Sequence, residues 1–115
     1  NIETILAEKL ETVLRRGKYN SRMKDYYDIY LFLTKLKNDI DINILKEAIN
    51  STFTKRNSFE YLKDYDVIID SIINNERIEK LWSIYSNKYK YAKCININEI
   101  LNLLKKIIKN LNLII

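Results

Sequence analysis

The chain has 115 residues, 47% of them apolar and 30% charged, with no proline, one glycine and a net charge of +5. Such a length makes one compact domain over residues 1–115, the composition is globular, and the scarcity of turn glycines argues against a hairpin-rich β fold. With no histidine and Cys94 alone, the usual zinc sites, Ser-His-Asp or Cys-His machinery and an internal disulfide are excluded, and no apolar run reaches the roughly 18–20 residues that span a bilayer.

The periodicity predicts an all-α bundle of about five to six helices. The first covers residues 3–16, with Ile2, Leu6, Leu10, Val13 and Leu14 on one face and Ile5 flanking it. Gly17 follows Arg15 and Arg16, so a C-cap is expected there, with two cations suited to the negative helix end. Residues 18–21 are a polar connection in which Asn20 or Ser21 can cap the next helix. That second helix, 22–37, is apolar or aromatic over most of its circumference, including Met23, Tyr26, Tyr27, Ile29, Tyr30 and Leu33. A helix so apolar is expected at the centre of the bundle. Asn38 to Asp41 is a turn, with Asp41 as N-cap of a third helix, 42–56, built on Ile42, Leu45, Ile49 and Phe53. Ser58 can cap a fourth helix, 59–74, with Leu62, Val67, Ile69 and Ile72 among its apolar residues; its Tyr65–Ile69 stretch also has strand propensity. A fifth helix covers 76–91, and a sixth starts at Asn96 or Asn98 with the stripe Ile100, Leu101, Leu104, Ile107, Ile108 and Leu111. Asn96 and Glu99 have capping-box spacing.

Charge is unevenly spread. Residues 1–37 carry eight Lys/Arg against five Asp/Glu, residues 38–79 five against nine, and residues 80–115 seven against one. Two basic ends can contact phosphate, including RNA, although abundant lysine also suits a merely solvated face. Tyr85, Tyr89 and Tyr91, interleaved with Lys88, Lys90 and Lys93, form a candidate RNA-facing strip, whereas Tyr26, Tyr27 and Tyr30 are at core spacing. Cys94 reads as a buried small hydrophobe or an inert thiol.

Two charges interrupt apolar faces. At 100° per residue, Lys9 falls at the edge of the first helix's core face, between Ile2 and Ile5, while Glu8 and Glu11 point away. A snorkelling stem is the plain explanation for such a lysine. In the second helix Asp25 falls between Phe32 and Leu36. The pattern Arg22-x-Lys24-Asp25-x-x-Asp28 gathers two cations and two carboxylates at one helix start. Such a group can orient a metal-bound triphosphate or accept a proton from a hydroxyl, or it can be an intrahelical ion-pair network only.

Glu3-Thr4-Ile5-Leu6-Ala7-Glu8-Lys9-Leu10-Glu11, then Arg16-Gly17, then Asn20-Ser21-Arg22-Met23-Lys24-Asp25-Tyr26-Tyr27-Asp28-Ile29-Tyr30 closely resemble the AbiEii/AbiGii-type nucleotidyltransferase toxin family. That family shows an "AEK" element followed by "R-x-K-D-x-x-D". Phe53-Thr54-x-Arg56 and the Trp82…Tyr91-Ala92 region are similar to its C-terminal helical part, so the likeness extends over nearly all of the chain. The resemblance implies a bacterial toxin of the polymerase-β-like superfamily, paired with an antitoxin that is often a DNA-binding repressor. It implies a nucleoside triphosphate (NTP) and Mg²⁺, in some members nucleotide transfer to tRNA 3′ ends, and in some a role in abortive infection against phage. By matching motifs, Lys9 would contact the triphosphate and Asp25 would be the catalytic or orienting acid, supported by Arg22, Lys24 and Asp28. The family's strand-borne Gly-Ser loop and paired aspartates have no counterpart here. The chain therefore reads as the C-terminal helical half of such a protein, cytoplasmic, without the N-terminal sheet domain, inactive alone and with neither Mg²⁺ nor NTP expected to stay stably bound to it. The competing expectation is a non-catalytic basic helical module that binds RNA or protein.

Overall fold

The computed structural model describes residues 1–113, which form seven α-helices with no strand among them. In chain order these are α1 (Ile2–Arg16), α2 (Met23–Leu33), α3 (Ile42–Lys55), α4 (Phe59–Lys63), α5 (Tyr65–Ile72), α6 (Glu76–Lys88) and α7 (Ile97–Asn110), with short 3₁₀ turns after α1, α2 and α6. The all-α expectation holds, with one helix more than expected. The predicted fourth helix is two, α4 and α5, parted at Asp64, whose φ of −91° and ψ of 15° end one helix and begin the other. The break re-aims the apolar residues, so Leu62, Ile69 and Ile72 are buried while Val67 is exposed instead of joining the stripe. The strand propensity of residues 65–69 is overridden by this packing.

Other boundaries shift inward. The second helix stops at Leu33, not at residue 37, where the Thr34 hydroxyl donates to the Tyr30 carbonyl at 2.7 Å. A hydroxyl bonded back to the preceding turn competes with the helical pattern there. The α6 helix ends at Lys88, not at residue 91, and a 3₁₀ turn over Lys90–Ala92 follows. Ile42 is half-exposed instead of in the core. Ser58 precedes α4 but makes no capping bond, because its side chain is turned inward and buried. Cys94 is exposed instead of buried.

The core runs through α1, α2, α3, α5 and α7, with Leu6, Val13, Tyr26, Ile29, Phe53, Ile69 and Leu104 all fully buried. The α1 helix packs mainly on α3, and α7 packs on α2 and α5. Lys105 reinforces the last contact, reaching Asp66 at 2.8 Å and Asp70 at 2.7 Å. Caps match the sequence at Asp41 and Asn96, whose side chains accept from the backbone of the first turn. With one glycine available, asparagine takes the left-handed positions: Asn57, Asn74 and Asn112, after α3, α5 and α7, have φ of 53°, 61° and 50°.

Candidate functional site

Packing α1 beside α2 places one face of each in register. On α1, Leu6, Leu10 and Val13 anchor the helix in the core, and the Lys9 stem lies along the same edge with its side chain a quarter exposed. On α2, Met23, Tyr26 and Ile29 do the anchoring. Asp25 in the first turn and Asp28 one turn later therefore project toward α1. The positive helix start favours a carboxylate at Asp25.

All five residues singled out in the sequence meet here. Lys9 Nζ is 3.0 Å from Asp28 Oδ2 and 4.0 Å from Asp25 Oδ1. Lys24 Nζ donates to the same Asp28 oxygen at 2.8 Å. Arg22 Nε approaches Asp25 Oδ2 at 3.8 Å, beyond hydrogen-bond length. Arg22 and Lys24 are otherwise exposed, while Asp25 is buried. Burial pushes the Asp28 carboxyl up, but the bonds from Lys24 and Lys9 outweigh it and hold the group below its ordinary value. The Asp28 bond in turn raises Lys24.

The two carboxylates thus differ. Asp28 is saturated by two ammonium groups, whereas Asp25 Oδ2 is buried and accepts no hydrogen bond. Leaving such an oxygen unpaired costs of order 1–3 kcal/mol, so it calls for an explanation. Sequence reasoning missed two neighbours that share this condition. Asn20 Nδ2 and Tyr26 Oη, both in fully buried residues, also have no partner. Burial pushes the Tyr26 phenol up to about 12, with the Asn20 amide opposing and the Asp25 charge adding to the rise. Asn20 is visible in the sequence only as a potential cap, and its Oδ1 does accept from Arg22 N at 3.2 Å. Tyr26 has core spacing and carries no sequence sign of a polar role.

Chemically, the cluster offers an ammonium group that reaches two carboxylates and one buried carboxylate oxygen open to a donor. Asp28 Oδ2 is engaged by both ammonium groups, and no group of three His, Cys, Asp or Glu that could hold a metal ion occurs among the described residues. The other motif stretches pack around α1 and α2. Arg56 Nη1 donates to Glu11 Oε1 at 2.6 Å, and Tyr91 lies on Tyr27 with ring centroids 4.5 Å apart. Glu11 itself corrects an expectation. It does not point to solvent but is fully buried, because α3 covers the flank of α1 opposite the one that meets α2.

Among the described residues no helix is long and apolar enough to cross a membrane. No curated protein and no solved structure matches the chain. A family model does, over residues 1–94, a shorter span than the likeness read along the whole sequence and one that stops before α7. It contains both motif helices, and by it the chain belongs to the nucleotidyl transferase AbiEii toxin family of type IV toxin–antitoxin systems, a family of toxins that have a cognate antitoxin.

Proposed function

We propose that Lys9 and Asp25 form the helical side of a nucleotide-transfer site, in which an NTP is the donor and an RNA, such as a tRNA 3′ end, is the acceptor. In this reading the acceptor hydroxyl attacks the α-phosphorus as the bond to the β-phosphate breaks and pyrophosphate leaves, and Lys9 contacts the triphosphate and neutralises charge that builds on the departing pyrophosphate. Asp25 Oδ2 receives the proton of the attacking hydroxyl or positions Lys9. Arg22 and Lys24 add positive potential at the rim, and Asp28 holds Lys9 in place. The metal ligands come from a strand-bearing part of the protein, and the reaction runs in the cytoplasm.

The observation that carries this reading is the convergence of Lys9 from α1 with Asp25 from α2, at 4.0 Å, beside a buried carboxylate oxygen that accepts no hydrogen bond. An unpaired buried carboxylate oxygen is uncommon, which favours a role for it beyond the ion-pair network. The test is calorimetric titration of the chain with each of the four NTPs in magnesium buffer, with Lys9→Ala beside it. Weak, readily reversible binding of at least one NTP is expected, since the metal ligands lie elsewhere, and it should fall about tenfold or more in the variant, as befits loss of a charge-assisted contact. Flat heats for all four NTPs, or equal affinity in Lys9→Ala, would overturn the reading.

A further inference from the structure

We propose that the groove between the start of α2 and α6 holds one unstacked nucleobase together with its phosphate. The ligand is either the nucleotide donor or the end of a single-stranded RNA. This rests on the nucleotide-transfer reading above and adds a place for the base, which Lys9 and Asp25 do not provide.

The groove has a volume of about 550 Å³, within the range of sites that enclose small ligands. Arg22 and Lys24 line one wall and Lys88 the other, and no carboxylate lines it. Tyr85, Tyr89 and Tyr91 supply the aromatic surface. Their ring centroids lie 4.8 to 6.2 Å apart, and the Tyr85 and Tyr91 hydroxyls bond each other at 2.7 Å. That bond links two rings set at 74° to each other, and the contact with Tyr27 braces Tyr91, which remains 50% exposed. Ile84 is 61% exposed at the same groove, an apolar side chain without a cover. Planar apolar rings inside a ring of cations are what a base and its phosphate require.

Position strengthens the assignment. Lys24 lines the groove and also donates to Asp28, while Arg22 lines it and faces Asp25. A phosphate held by these two cations therefore lies next to the Lys9 cluster. Tyr85, Tyr89, Tyr91 and Lys88 share the groove, whereas Lys90 and Lys93 are not part of its lining.

Fluorescence anisotropy of a labelled single-stranded RNA hexamer, with competition by each NTP, tests this on the chain. Ile84→Glu and Lys88→Glu place a carboxylate in the groove at exposed positions. Lys109→Glu, exposed on α7, makes the same charge change as Lys88→Glu elsewhere. Both groove variants are expected to weaken binding of the hexamer, the NTPs or both about tenfold, the scale of losing a base stack, against little change in the control. Loss for NTPs assigns the groove to the donor base, and loss for the hexamer alone assigns it to the acceptor end. Groove variants that bind both probes like the control would overturn the proposal, as would a wild-type chain that binds neither. Lys9→Ala in the same assay keeps the two readings apart. NTP binding lost there, with NTP and hexamer binding both unchanged in Ile84→Glu, would retain the Lys9 contact and discard the groove.

Discussion

Glu11 is fully buried and held by two guanidinium groups, Arg56 at 2.6 Å and Arg15 at 3.0 Å. Burial raises its carboxyl, yet Arg56, with Ser58 and Arg15, outweighs burial and leaves it below the ordinary value. Asp28 is lowered by the same balance, with lysines in place of arginines. A carboxyl lowered in the folded state adds stability that is complete above its unfolded value, about pH 4, and is lost as the pH falls through the folded value. Glu11→Gln should therefore destabilise at pH 7, by about 1–3 kcal/mol, since Arg56 can regain water at its partly exposed end. The deficit should shrink in urea titrations as the pH is lowered below about 4, and a deficit independent of pH would contradict the assignment. At this scale the sequence is legible where a charge sits on a face of known sign. Lys9 and Asp25 are such charges, and they do meet. Glu11 is not, because its burial comes from a helix more than thirty residues away that no wheel of α1 contains.

Helix ends decide the elements. Gly17 has φ of 54° and ψ of −136°, a conformation that costs a residue with a side chain, and its N–H caps α1 by donating to the Val13 carbonyl. A Cβ there would meet only Ile68 Cγ2, at an ordinary 3.6 Å. The cost of Gly17→Ala is thus backbone strain and not a clash, about 1–3 kcal/mol by chemical denaturation. A loss within error would show that the turn relaxes. Start signals were readable, since Asp41 and Asn96 cap as their residue types suggest. Stops were harder. Thr34, Asp64 and the Lys88–Tyr89 junction carry no glycine or proline, so no breaker residue marks these stops in the sequence. The asparagines at positive φ do the work of glycine in a chain nearly without it, a role that composition alone does not reveal.

At the scale of the whole molecule, α7 is the telling case. The family match ends at residue 94, yet Ile97, Ile100, Leu101, Leu104 and Ile108 are all buried, against α2 and α5. Removing residues 95–115 would uncover the side of α2 that holds Asp25 and Asp28 in place. Near-UV circular dichroism and urea unfolding should then show loss of fixed packing and of the cooperative transition. Leu104→Ala, at a fully buried position, should cost about 2–5 kcal/mol. A truncated chain that unfolds as sharply as the whole would make α7 an appendage.

The amino-acid sequence by itself determined the helical class and most helix starts, and it singled out the five charged residues that meet between α1 and α2, because periodicity, caps and misplaced charges are local properties of the chain. It also carried the family, through two motifs within residues 3–30. Tertiary structure alone decided which flank of α1 buries Glu11, which oxygen of Asp25 is left without a donor, and that Tyr85, Tyr89 and Tyr91 close a groove against Arg22 and Lys24. These depend on contacts between residues about fifteen to seventy positions apart, set by how whole helices pack and invisible to any window short enough to read as one helix.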